Sequence, residues 1–484
     1  MQPVSKPELY AVDTINGFQT DKLGDNIDGM FRNLTEHDRP LVIWFHGGLV
    51  TRSQGYLGAA LGLEGNSSLN GFQGRGVEAV YYIYESGPLF EGVKAASFLL
   101  AESLIQSKIG HLESFLRPIV NTLNAEVVTG AFKLVEEVRN KLGGLLRQIR
   151  GDEAVRLRLR SLAFGESGAL AMAVLEEARV GTDTTFADKY GTDVYLRAKV
   201  QAQMMSSLTP EDASRNAFDF SLNIDPATLM FEFGLKAAKV AIAVARRCQS
   251  RRDHGLQQTI IEEVVREYIQ VGPETWRQIK AEVDCACSDD PRAGATNLIK
   301  GLRTYLAEHP DRPVYLVGHS TGSIYVARFA MKAKEMGVNT PFRIRLLAAA
   351  ARIDQYNALT VDSANIEKVV NFGMGDDPTN PGSDREHKEF LFDIEQLKNT
   401  PIRHLYQGSL LYMVSGACED DADQPLMGMQ RFHQGKDSPG RPDLNFGFTL
   451  VNVWSDTDHG DYQTLCHHHG GFGADPATFH TLLN

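Results

Sequence analysis

Cysteine is scarce in this chain of 484 residues, which contains only five cysteines, at irregular positions. So few thiols exclude a disulfide-stabilised scaffold and favour a reducing, cytoplasmic location. Cys285 and Cys287 are the closest pair, but no second cysteine pair or nearby histidine accompanies them in the sequence, which argues against a zinc site. We therefore expect neither a metal ion nor an organic cofactor.

Basic residues are fewer than acidic residues, and long apolar runs are few. The formal net charge of −12 argues against nucleic acid as the main partner, because phosphate binding needs a basic surface. The first ten residues contain no apolar segment typical of a secretory signal. The most apolar helical stretch, 229–247, carries Glu232, Lys236 and Lys239, so we expect no transmembrane segment and at most peripheral contact with a membrane surface.

The overall composition, with 43% hydrophobic and 23% charged side chains, is that of a soluble globular protein and not of a disordered or fibrous one. Short apolar runs predict strands towards both ends of the chain, and amphipathic stretches such as 322–337 predict helices between them. This alternation predicts an α/β fold with a mostly parallel sheet. The predicted strand segments are 39–48, 76–87, 312–320, 342–352, 408–417 and 445–455.

The middle of the chain has a different pattern. Segment 125–150 places apolar residues at three- and four-residue spacings, which is typical of an amphipathic helix, and no convincing strand occurs in 89–288. We therefore predict a core formed by 1–88 and 289–484, interrupted by a helical insertion over 89–288. The basic run 139–160 favours a solvated helix face, with docking of an acidic protein partner as the alternative.

One motif suggests chemistry. The predicted strand 312–320 ends in Gly-His-Ser-Thr-Gly, which places Ser320 between two glycines directly before a predicted helix. This G-x-S-x-G pattern favours a nucleophile elbow, although a tight turn that merely contains serine would have the same sequence. The backbone N–H of Thr321 would then lie at a helix N-terminus, where it can bind developing negative charge.

A second glycine turn follows an earlier predicted strand, in the sequence Trp-Phe-His-Gly-Gly-Leu of residues 44–49. The backbone N–H of Gly48 or Leu49 is a candidate second donor to a tetrahedral oxyanion, and a plain glycine turn is the alternative. Because ligands bind beyond the carboxyl ends of parallel strands, both turns are expected at the same edge of the sheet.

With these two motifs, the chain resembles the lipases and esterases of the α/β-hydrolase superfamily. The resemblance covers 35–90 and 290–484, and implies a serine, an acid and a histidine in that chain order. Counting from Gly416 it selects Glu419 as the acid, whereas counting back from Pro425 selects Asp421, and Asp354 is a third candidate. The long insertion departs from the family, whose usual lid follows the nucleophile strand instead of preceding it.

The histidine also has two candidates. His469 stands seven residues before Pro476, where the resemblance places the catalytic histidine, and Asp475 can cap the terminal helix that Pro476 opens. His459 is followed by glycine and lies closer to the preceding predicted strand. We predict His469 as the base, with His459 as the alternative. The neighbouring His319 is expected to pack or hydrogen-bond behind the turn.

The expected function is therefore a serine hydrolase that cleaves an ester, including lipid esters, through an acyl-enzyme. A peptidase or amidase with the same three residues is one alternative. Another is an interaction or effector protein that uses the helical insertion on a hydrolase scaffold, because fold alone does not determine function.

Overall fold

A computed structural model describes a large part of the chain. The described residues are 10–20, 27–34, 39–48, 52–64, 76–84, 243–248, 250–269, 271–359, 365–376, 408–433, 444–455 and 459–484, with single or paired positions between these ranges. The segment 85–238 lies outside them, and so does Leu49.

Eight strands form one sheet in the order β2-β1-β4-β3-β5-β6-β7-β8. Every neighbouring pair is parallel except β1 and β2, which are antiparallel. The expected α/β architecture with a mostly parallel sheet is therefore confirmed. The strands are β1 Ala11–Ile15, β2 Phe18–Gln19, β3 Leu41–Phe45, β4 Glu78–Tyr84, β5 Val314–His319, β6 Phe342–Leu347, β7 Ile366–Gly373 and β8 Thr449–Trp454.

Helices cover the sheet, which explains why its central strands consist of apolar residues. The strand β3 is buried along its whole length, and β5 is buried up to its last residue, as expected of central parallel strands that are covered on both faces. The helices are α1 Ile27–Asn33, α2 Arg52–Glu64, α3 Leu256–Val264, α4 Val271–Ala286, α5 Gly294–Glu308, α6 Gly322–Glu335, α7 Ile353–Asn357, α8 Leu410–Met413 and α9 Pro476–Thr481. Among them, α6 packs directly behind β5 and β3.

Five of the six predicted strand segments are confirmed, but 408–417 is wrong. There the chain forms α8, which Ser409 caps by accepting a hydrogen bond from the Tyr412 N–H, followed by a π-helical turn over Val414–Cys418. A short apolar run that is mostly buried shows no clear periodicity that separates strand from helix. The strand in this part of the sheet is β7, which sequence reasoning missed because polar side chains such as Lys368 and Asn371 interrupt it.

The predicted helical insertion can be compared with the structure only over its last part. The described residues of 239–288 are mainly helical, including α3, a π-helical turn over Val265–Ile269 and α4. The rest of the predicted insertion lies outside the described residues, so the boundaries at 88 and 289 stay predictions. Within the described part of the chain, no helix is long and apolar enough to cross a membrane.

Candidate active site

Ser320 occupies a sharp turn between β5 and α6. Its φ of 52° lies in the left-handed region of backbone conformation, which residues other than glycine rarely adopt. The turn is held by backbone hydrogen bonds: the Ser320 N–H donates to Leu347 O at 2.9 Å, and Ser320 O accepts from the N–H groups of Ser323 and Ala350. A serine held in an unfavourable backbone conformation is a feature of functional sites.

The two glycines that flank this turn are required by close backbone contacts. A Cβ added to Gly318 would lie 2.7 Å from Gly322 O, and a Cβ on Gly322 would lie 2.7 Å from His46 O and closer still to Phe45 O. Backbone atoms cannot rotate away as side chains can. The G-x-S-x-G spacing therefore lets the start of α6 pass against the end of β3, which brings Ser320 beside the His46 turn.

The base predicted from the sequence lies beside this serine. His469 Nε2 is 2.8 Å from Ser320 Oγ, and both side chains are buried. Burial and the neighbouring His319 hold the pKa of His469 well below its ordinary value, so the imidazole is neutral at pH 7. A neutral imidazole in contact with a serine hydroxyl can accept its proton and thereby activate it as a nucleophile.

The loop that carries His469 is held at two points. His319 Nε2 donates a hydrogen bond to the backbone oxygen of His469 at 2.7 Å, which matches the expected role of His319 behind the turn. Downstream, Asp475 caps α9 by accepting from the Thr478 N–H at 2.9 Å, with Pro476 at the first helical position. The predicted cap is confirmed, and it anchors the end of the loop on the terminal helix.

The His46 turn lies against the elbow. A Cβ on Gly47 would lie 2.7 Å from His319 Nδ1, and a Cβ on Gly48 would lie 2.9 Å from Thr321 Cγ2. Within the described residues, no acceptor is bonded to the backbone N–H of Gly48 or Thr321. The His46 turn and the elbow therefore each carry one backbone N–H without such an acceptor, Gly48 in the first and Thr321 in the second, and the two turns are in contact. Leu49, the alternative donor, lies outside the described residues.

Glu419, the acid preferred from the sequence, interacts with other residues. Its buried carboxylate accepts hydrogen bonds from Trp276 Nε1 and from Lys280 Nζ, the latter at 3.0 Å, and Arg352 lies 4.0 Å away. Within the described part of the chain, no hydrogen bond joins it to His469. The count that selected Glu419 started from a supposed strand that is helical, so the position it marked lies at the end of a π-helical turn.

The remaining sequence candidates also bond to residues other than Ser320 and His469. Asp354 is paired with Arg352, and Asp421 Oδ2 accepts from Gln424 Nε2 at 3.4 Å; both side chains are exposed. His459 Nε2 lies 2.6 Å from Thr457 Oγ1, in the loop after β8. Among the described residues, none of these three side chains hydrogen-bonds to Ser320 or His469.

Asp376 is a carboxylate that sequence reasoning missed. It lies three residues beyond β7, at the carboxyl edge of the sheet, and Tyr412 Oη donates a hydrogen bond to it at 2.9 Å. Burial raises the pKa of Asp376 to about 6, although the bond from Tyr412 and the charge of Arg431 act in the opposite direction. Recognition of β7 in the sequence would have pointed to this loop.

The described residues contain no group of three or more histidine, cysteine or acidic side chains arranged to hold a metal ion. Comparison with known proteins adds no identity: no known family, no curated protein and no solved structure matches the chain.

Proposed function

We propose that this protein is a serine hydrolase of the α/β-hydrolase type that cleaves esters through an acyl-enzyme. The observation that carries the proposal is the 2.8 Å contact between Ser320 Oγ and His469 Nε2, made by a serine in a left-handed turn between a strand and a helix. The residues are 149 positions apart in the chain, so chain proximity does not explain their contact.

In the proposed reaction, His469 Nε2 takes the proton of Ser320 as Oγ attacks the ester carbonyl carbon. The carbonyl oxygen becomes an oxyanion, which the backbone N–H groups of Gly48 and Thr321 stabilise. His469 then returns its proton to the leaving alcohol, and the acyl group stays on Ser320. A water molecule, deprotonated by the same imidazole, attacks the acyl carbon and releases the carboxylic acid with regeneration of the Ser320 hydroxyl.

The proposal rests on the pair Ser320 and His469. The carboxylates predicted from the sequence bond to other partners among the described residues. A triad of this kind has an acid as its third member. Its usual task is to orient the imidazole and stabilise its protonated form. Part of the orienting task is met by His319, which fixes the backbone of His469, and by α9, which anchors the loop.

A fluorophosphonate probe tests the nucleophile directly, because it phosphonylates an activated serine without needing the natural substrate. We expect one probe per wild-type chain, and no labelling of Ser320→Ala. Ser415→Ala is the matched control, since Ser415 is also a buried serine but its hydroxyl donates to Gln424 O at 2.7 Å, outside the site. Labelling that survives in Ser320→Ala, or a folded wild type that never reacts, contradicts the proposal and favours the effector alternative.

The bond type and the base need two further measurements. Esters of graded acyl length, assayed beside matched anilides, separate an esterase or lipase from an amidase.

His469→Ala should lower kcat by at least about 1000-fold, as expected when one member of a catalytic unit is removed. Because the pKa of His469 is held low, kcat/KM should stay on its plateau below pH 6.5, the ordinary midpoint of imidazole. An acid limb centred above that pH contradicts His469 as the buried base.

A further inference from the structure

We infer that Tyr84 is a positioning residue that holds together the two backbone turns of the oxyanion site. This inference rests on the proposed function, since it assigns a role in the same reaction. Tyr84 is the last residue of β4, next to β3 in the sheet, and its side chain is fully buried. Its hydroxyl contacts His46 and Thr321, so the role assigned to it is to position these two residues and not to contact the substrate.

The Tyr84 hydroxyl connects the two turns. It donates a short hydrogen bond to the backbone oxygen of His46, and it lies 2.8 Å from Thr321 Oγ1. The direction of the second bond follows from the first. A carbonyl can only accept, so the single phenolic hydrogen is used on His46, and the Thr321 hydroxyl must donate to Tyr84.

His46 is also fixed by Tyr84. The two rings stack with centroids 4.0 Å apart and planes 9° from parallel. His46 Nε2 accepts from the Tyr84 N–H at 3.1 Å, so Nδ1 carries the proton and donates to Gly47 O at 2.7 Å. Burial lowers the pKa of His46 to about 4, despite the opposing bond to Gly47, so this arrangement persists at neutral pH.

These contacts determine where the oxyanion donors lie. Through His46, Tyr84 fixes the turn that contains Gly48; through Thr321, it fixes the first residue after the nucleophile. The Thr321 side chain then has its hydroxyl towards Tyr84 and its methyl group towards Gly48. Donors held in place before the reaction stabilise the oxyanion without reorganisation, and displacement by about 1 Å can cost on the order of 100-fold in rate.

The test is Tyr84→Phe, which removes one oxygen and keeps the ring. We expect kcat for an ester to fall by about tenfold or more, with KM within about twofold, because the donors act mainly on the transition state. Binding of a trifluoromethyl ketone, which forms a tetrahedral adduct with the serine, should weaken by the same factor as kcat/KM. A hydroxyl with only a structural role would lower the melting temperature without this kcat effect.

The matched control is Tyr325→Phe. Tyr325 is fully buried, its ring centroid lies 4.4 Å from that of Tyr84, and its hydroxyl has no hydrogen-bond partner within the described residues. Loss of the Tyr325 hydroxyl should leave kcat unchanged.

If Tyr84→Phe fails to fold, Thr321→Val and Thr321→Ser test the same hydrogen bond from its other partner. Valine removes the hydroxyl that donates to Tyr84 and should lower kcat, whereas serine keeps it and should restore most of the activity.

The outcomes separate this inference from the proposed function. An inactive wild type, or activity that survives in Ser320→Ala, refutes the proposed function itself. If the wild type is active and depends on Ser320, the inference is overturned when Tyr84→Phe or Thr321→Val keeps the wild-type kcat. It is also overturned when Tyr325→Phe loses as much kcat as Tyr84→Phe.

Discussion

The left-handed backbone at Ser320 makes a prediction about stability that does not depend on any substrate. Ser320→Gly and Ser320→Ala both remove the hydroxyl and its contact with His469, so they differ only in the Cβ. With φ at 52°, that Cβ is unfavourable in the folded chain. We therefore expect Ser320→Gly to be more stable than Ser320→Ala.

The size of the difference follows from two opposing effects. The left-handed conformation costs an ordinary residue roughly 1–2 kcal/mol relative to glycine. The extra freedom of glycine in the unfolded chain counts against it by roughly 0.5–1 kcal/mol. The net expectation is an advantage of about 1 kcal/mol in the free energy of unfolding for Ser320→Gly over Ser320→Ala.

Urea denaturation of the full chain, followed by circular dichroism, measures this difference when the two variants share one denaturant slope. Ala327→Gly is the control, because Ala327 is buried within α6 in ordinary helical geometry. There glycine should lower stability by about 1 kcal/mol or more. If Ala327→Gly behaves in this way but Ser320→Gly is no more stable than Ser320→Ala, the elbow is unstrained and the reasoning is refuted.

Three further predictions concern buried charged groups. Because folding raises the pKa of Asp376 from 3.8 to about 6, its ionisation destabilises the folded chain as pH rises from about 4 to 6. Asp376→Asn should therefore be more stable than wild type by about 3 kcal/mol at neutral pH and close to wild type near pH 4, and a pH-independent difference in urea unfolding contradicts this. Arg247 bonds to the buried carboxylates of Glu262 and Glu263 at 2.7 and 3.0 Å. Arg247→Met leaves both carboxylates buried without the guanidinium and should lower the free energy of unfolding in urea by about 3 kcal/mol or more. Arg292→Met is the control, and because Arg292 is exposed it should change little. Glu419→Gln weakens the contacts to Trp276 and Lys280 and should lower the melting temperature while keeping kcat; a loss beyond about 100-fold in a folded variant would return Glu419 to the role of catalytic acid.

The sequence alone located the parts of the candidate site that depend on local geometry. Glycine is the residue type that tolerates a close backbone approach, so the glycines around Ser320 and after His46 mark the two turns wherever the rest of the chain lies. The apolar runs of β3 and β5 are similarly informative, because strands covered on both faces need apolar side chains throughout. His469 was selected by the resemblance to lipases and esterases, which places a histidine about seven residues before the proline that opens the terminal helix.

Only the tertiary structure decided the partners of the carboxylates. Glu419 lies 143 positions from Trp276 and 139 from Lys280, and no local pattern encodes which distant donor a carboxylate meets. The segment 408–417 was misread for a related reason, since a short and mostly buried apolar run has the same composition whether it forms a strand or a helix. Tyr84 shows the same limit, since in sequence it is one more aromatic residue in a strand. Its hydroxyl joins His46 to Thr321, 237 positions away from Tyr84, only after β3, β4 and β5 have come together in the sheet.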